Sequence, residues 1–185
     1  RWDMDRIGSK RVTDNVVDLM AGKLSRLPGT TLDAWNQLAC LGNSAPTAAL
    51  SMILGMSEGA IDTLLWDVEH AGLVFRVDGA FAFLHDRVQE AVYALIPKME
   101  RAATHLRIGR VLAARTPPAE LEEKIFEIVN QLDRGAALVD TIDEREQIAE
   151  LNLRAGKRAK TSTAYASALI YLATGRRLLA EESWQ

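Results

Sequence analysis

Cysteine is nearly absent from this chain of 185 residues, and Cys40 is its one example. A single thiol rules out an internal disulfide and a thiolate metal cluster. It fits a reducing compartment, and a cytoplasmic location is the expectation. Cys40 falls in an apolar stretch, where a lone cysteine reads as a small buried hydrophobe rather than a nucleophile. Long apolar runs are also missing. The longest uncharged stretch, residues 34–57, is interrupted by Asn36, Gln37, Asn43 and Pro46. A membrane span takes about 20 predominantly apolar residues, so no transmembrane helix and no membrane partner are expected. Arg1-Trp2-Asp3 lacks both an initiator Met and the apolar core of a signal peptide. Ser183-Trp184-Gln185 carries no Gly or Pro stop signal. Both ends read as cuts in a longer polypeptide.

The motifs of common catalysts are missing too. No G-x-x-x-x-G-K-[ST] phosphate loop occurs. The protein-kinase set of Gly-rich loop, H-R-D and D-F-G is absent, as is a nucleophile elbow. His70, His85 and His105 are scattered without H-E-x-x-H spacing, so no metal ligand set is expected. No catalytic residue is assigned, and the segment is not expected to be an enzyme. The net charge of −3 gives no global attraction to nucleic acid.

What remains is a globular composition, 48% hydrophobic and 25% charged, with strong helical periodicity. Residues 13–27 place Val16, Met20, Leu24 and Leu27 on one face, with Thr13 or Asp14 as N-cap. A second helix is predicted over 31–41, with Leu32, Trp35 and Leu38 inward, and a third over 46–54, closed by Gly55. Ser57 caps a fourth, in which Ile61, Leu64, Leu65 and Val68 form a stripe. After Gly72 the pattern turns to strands. Residues 73–77 and 80–84 flank Asp78-Gly79, and Asp-Gly tolerates the positive φ angles of a type I′ hairpin turn. Helices followed by one hairpin is the element order of a winged-helix domain.

The rest reads as helical. Asp86 with Gln89 resembles a capping box opening a helix that runs to Pro97. Further helices are predicted over 98–115, over 120–134 with Leu121, Ile125, Ile128, Val129 and Leu132 inward, and from an Asp143 cap to Lys160. Thr163 is the expected cap of the last, with Tyr165, Ala168, Leu172 and Leu179 core-facing. Successive amphipathic helices on short connections form hairpins, the unit of an α-solenoid. Residues 164–172 have the small-and-aromatic spacing of tetratricopeptide helices, without a second copy at a period of about 34. The expected fold is therefore mainly α, with a linker over 1–11, a winged-helix domain over 12–96 and a helical-hairpin arm over 97–185.

The strand-to-helix junction Phe83-Leu84-His85-Asp86-Arg87 holds the main functional signal. A histidine there can project beyond a helix N-terminus and donate to a phosphate on a neighbouring domain, helped by the helix dipole. It can equally cap its own helix or pack under the wing. Leu84-His85-Asp86 resembles the Met-His-Asp motif of the winged-helix domain in STAND-class signalling ATPases. In that class the histidine touches the β-phosphate of bound ADP, and the aspartate orders the junction. The resemblance implies a nucleotide-sensing His85 with Asp86 as its structural partner, Leu84 replacing Met at similar volume. It extends to Thr13-Asp14-Asn15-Val16-Val17-Asp18-Leu19-Met20, Ala39-Cys40-Leu41-Gly42, His85-Asp86-Arg87-Val88-Gln89, Ile108-Gly109-Arg110, Ile125-Phe126-Glu127-Ile128-Val129-Asn130 and Glu150-Leu151-Asn152-Leu153-Arg154-Ala155-Gly156. These stretches look like a bacterial subgroup joining a serine/threonine-kinase-like domain, a STAND ATPase, a GAF sensor and a histidine kinase. The implied role is a regulatory segment whose partners are adjacent domains of the same polypeptide, with ADP or ATP held by an ATPase core outside this chain.

Charge supplies the second signal. Residues 151–180 carry Arg154, Lys157, Arg158, Lys160, Arg176 and Arg177 and no acid, a candidate basic surface. Residues 120–150 are acidic, with Glu120, Glu122, Glu123, Glu127, Asp143, Glu144, Glu146 and Glu150. Layers of opposite sign pair or stay solvated. The candidate recognition helix, 57–71, bears Glu58, Asp62, Asp67 and Glu69 with no Lys or Arg, which disfavours DNA. Two alternatives remain open: a DNA-binding winged-helix regulator, and a scaffold docking a protein partner on the helical arm.

Overall fold

The computed structural model describes residues 28–180, with Gly22 upstream of them. The predicted first helix, the linker and the resemblance over residues 13–20 lie outside these residues. The chain is mainly α with a small three-stranded antiparallel sheet. It divides after Arg101 into two compact units.

The first unit begins with α1 (Gly29–Leu41), β1 (Ser44–Pro46), α2 (Thr47–Leu54) and α3 (Glu58–His70). β2 (Val74–Val77), β3 (Ala80–Phe83) and α4 (Asp86–Leu95) follow. The hairpin forms as the Asp-Gly signal requires: Asp78 and Gly79 have φ of 47° and 74°, and Val77 pairs with Ala80. Gly55 closes α2 in the left-handed region at φ 66°, where a side chain would be strained. Ser57 caps α3 by accepting the Ala60 N–H. Pro46 is the N-cap residue of α2, one position before the first helical residue, Thr47. It also ends β1, which pairs with β3 through Ser44–Ala82, Ala45–Phe81 and Pro46–Ala80 and gives the order β1-β3-β2. Pro46 is tolerated because β1 lies at the sheet edge.

The core of this unit joins Trp35 and Leu38 of α1, Leu50 of α2, Ile61 and Leu65 of α3, Phe81 and Phe83 of β3 and Val92 of α4. Trp35 stacks on Phe83 with ring centroids 6.2 Å apart. Each such side chain adds roughly 1.5–3 kcal/mol on burial. Cys40 is buried, as expected.

The second unit contains residues of α5 (Lys98–Arg115) from Ala102 on, α6 (Pro118–Gly135), a 3₁₀ turn over Ala136–Leu138, α7 (Ile142–Thr161) and α8 (Tyr165–Ala180). Ile125, Val129 and Ala155 centre its α6–α7 packing, with Phe126 stacked on Tyr171 at 5.6 Å. Glycines let the helices approach. A Cβ on Gly109 would meet Leu132, one on Gly135 would meet Leu106, and one on Gly156 would meet Leu172. Buried His105 and Gln131 bond across α5 and α6 at 2.6 Å.

Details of the helix ends depart from expectation. α7 starts at Ile142 after Thr141, so Asp143 lies in the first turn and is not the cap. Thr163 does not cap α8. It takes φ 60° and its hydroxyl donates to the Ser162 carbonyl. On α8, Ala168 and Leu178 are buried, whereas Tyr165 and Leu179 are 65% and 49% exposed. The apolar residues of α8 surround it, so periodicity did not single out the buried stripe. No single helix among the described residues is long and apolar enough to cross a membrane.

Candidate functional site

His85 sits where β3 hands over to α4, in extended backbone at φ −154° and ψ 143°. Both sides of the junction are fixed. Upstream, Phe83 is buried on Trp35, and the Leu84 N–H donates to the Leu73 carbonyl at 3.1 Å. Downstream, Gln89 donates its side-chain amide to the Ala39 carbonyl at 2.8 Å. That carbonyl lies in the last turn of α1, where no intrahelical donor remains, so the bond satisfies a group otherwise left open. Gln89 is thus a tie between helices rather than half of a capping box.

The cap itself is His85, whose Nδ1 accepts the Arg87 N–H at 3.2 Å. A neutral imidazole that accepts at Nδ1 carries its hydrogen on Nε2. The capping bond therefore selects the tautomer whose other nitrogen is a donor. Leu84, 64% exposed, and the exposed His85 and Asp86 form one surface at the N-terminus of α4. Asp86 stands in the first helical turn, where a carboxylate complements the positive end of the dipole.

The six basic residues occupy different settings. Arg154, Lys157 and Lys160 are exposed on α7, and Arg154 pairs with Glu150 of its own helix at 3.4 Å. Arg158 is half-buried, its guanidinium 5.1 Å from the Phe126 ring centroid. Arg176 lines a groove of about 230 Å³ with Leu153, Leu172 and Leu179. Arg177 lines a separate cavity with Asp133. The acidic stretch pairs largely outside this set: Glu144 takes Arg110, and Glu120 takes Lys124. Among the described residues no cluster of His, Cys, Asp and Glu could hold a metal ion.

Comparison with known proteins adds one relationship. A hybrid signal transduction histidine kinase G of Dictyostelium discoideum is 24% identical over 237 aligned residues, which cover 100% of this chain. The chain spans only 7% of that protein's length. No protein-family model matches the chain, and no solved structure does. The similarity relates the chain to one small part of a signal-transduction kinase.

Proposed function

We propose that the chain is a non-catalytic regulatory segment of a multidomain signal-transduction kinase, a winged-helix unit followed by a tetratricopeptide-like helical arm. It couples the nucleotide state of an ATPase core elsewhere in the polypeptide to sensor and kinase modules. The order α1-β1-α2-α3-β2-β3, with the hairpin as wing, supports the winged-helix reading. The relative's description as a hybrid signal transduction histidine kinase supports the signalling role.

The observation that carries the mechanism is the His85 cap. With Nδ1 engaged, Nε2 is the donor of an exposed imidazole at a helix N-terminus. Donation to the β-phosphate of ADP holds the segment closed over the core. Exchange for ATP releases it, a two-state switch in which each nucleotide binds the two states differently. The acidic α3, with Asp62 engaged by Arg76 of β2, favours this protein-facing role over DNA binding.

The test is His85→Ala in the full-length protein, with ADP release and kinase output as readouts. Faster ADP release and altered output are expected. Unchanged values for both reject the sensor.

A further inference from the structure

We infer that α3 is a docking face for a basic segment of a protein partner, with an arginine of that segment laid over Trp66. Helical rotation puts Gly59, Thr63, Trp66 and His70 on one face of α3, and all four are exposed. The opposite side belongs to the core, where Ile61, Leu65 and Val68 are buried. Trp66 remains 54% exposed. An indole left in water gives up the gain of burial, which a partner covering it would recover.

The indole is also held ready. His70 packs against it with ring centroids 3.8 Å apart and planes tilted by 30°. The His70 Nδ1–H donates to the Trp66 carbonyl at 3.1 Å and anchors the imidazole in that place. A side chain fixed in this way loses little rotamer freedom when a partner binds. The space beyond the first turn is open, since a Cβ on Gly59 would meet nothing within 4 Å.

Charge decides what covers the face. Glu58, Asp62 and Glu69 run along one flank of it and Asp67 along the other. Asp62 is engaged by Arg76 of β2. Among the described residues Glu58, Asp67 and Glu69 form no ion pair, and α3 contains no Lys or Arg. Carboxylates without a cation around an exposed indole repel nucleic acid and anionic lipid and attract a cationic segment. Arginine suits the face better than lysine, because its planar guanidinium stacks on an aromatic ring and forks onto a carboxylate. A tryptophan surrounded by polar groups has the make-up of a binding hot spot.

The experiment titrates the 185-residue chain with a synthetic arginine-rich amphipathic peptide. Counterparts with lysine or glutamate in place of arginine are titrated separately. NMR signals of the backbone amides of residues 58–70 and of the Trp66 indole N–H report binding. Saturable shifts on α3 are expected with the arginine peptide, weaker binding with lysine and none with glutamate. Residues 120–150 serve as an internal comparison, being acidic but without tryptophan. Shifts there in place of α3 would mean that charge alone directs the peptide, and would overturn the proposal. Trp66→Ala alters an exposed position and should weaken binding at least about tenfold with the unfolding midpoint little changed. The Glu58→Gln/Asp67→Asn/Glu69→Gln variant keeps the indole and should weaken binding several-fold, most in low salt. His85→Ala should leave the titration unchanged, which separates this face from the junction at α4. Equal binding of the arginine and lysine peptides, or of Trp66→Ala and the parent chain, overturns the proposal. The same shifts on concentrating the chain without peptide would place a second copy on the face and overturn it too.

Discussion

The Nδ1 of His85 accepts the Arg87 backbone N–H at 3.2 Å, so the residue proposed to read nucleotide also caps the helix behind it. The two roles use different ring nitrogens and can be separated by substitution. His85→Ala removes the cap and should cost about 1 kcal/mol in thermal or chemical unfolding. His85→Asp restores a capping oxygen and favours the helix dipole, so stability should return to the starting level. An aspartate cannot donate to a phosphate. ADP release from the full-length protein should therefore be faster in both variants. Faster release in the alanine variant alone would assign the whole effect to the cap.

Asp133 gives a pH-dependent prediction. Its carboxyl is raised chiefly by burial, and the Asn152 hydrogen bond and Arg177 oppose that shift only in part. The folded pKa lies above the ordinary 3.8, so below that value both states hold the proton and no cost arises. As pH rises through the folded pKa, the buried charge must be carried by the native state and stability falls. Asp133→Asn should therefore raise the melting temperature near neutral pH. Its advantage should shrink as pH falls and vanish below the ordinary carboxylate range. A constant advantage at every pH would contradict the linkage.

The opposite sign applies at Glu144. Arg110 of α5 holds it through a fork, Nε to Oε1 at 2.6 Å and a terminal nitrogen to Oε2 at 2.8 Å. That bonding lowers the Glu144 carboxyl below its ordinary 4.5. The stabilisation is present above that value and is lost as pH falls through the lowered one. The arginine side chain is 52% exposed, so solvent screening keeps the pair below about 1 kcal/mol. Glu144→Gln should reduce stability by less than that at neutral pH. The loss should diminish in high salt and disappear in acid.

Much of the backbone was legible because local chemistry dictated it. Asp78-Gly79 required a type I′ turn, Ser57 is a good cap, and the apolar stripe of α6 faces inward at Ile125, Ile128, Val129 and Leu132. What was not legible depended on partners distant in sequence. β1 is only three residues long and exists because β3 pairs with it, so the helix opened at Pro46 was legible and the strand in front of it was not. The His85 cap was one of two readings open from the sequence, because a histidine at a strand-to-helix junction can accept from the helix behind it or donate beyond it. Only the folded backbone brings the Arg87 N–H to Nδ1. Linear charge counting grouped Arg158 and Arg177 as one basic surface, although one stacks on Phe126 and the other faces Asp133.

Glycines at the helix contacts offer a test of that packing. Alanine in place of a helical glycine gains about 1 kcal/mol of intrinsic propensity, so a loss must come from crowding. On Gly156 a Cβ would lie 2.7 Å from Cγ of Leu172, the side chain of a residue 41% exposed that has room to turn aside. On Gly135 it would lie 2.5 Å from the Leu106 Cβ, 2.6 Å from the Ala102 carbonyl oxygen and 2.8 Å from the Leu106 nitrogen. Those are backbone atoms and the first atom of a side chain, which move only if a helix moves. Overpacking of that kind costs roughly 1–3 kcal/mol. Gly135→Ala should therefore lower stability by about 2 kcal/mol, and Gly156→Ala should change it by less than about 1 kcal/mol. Equal losses at the two positions in denaturant unfolding would mean that α5 and α6 approach no more rigidly than α7 and α8.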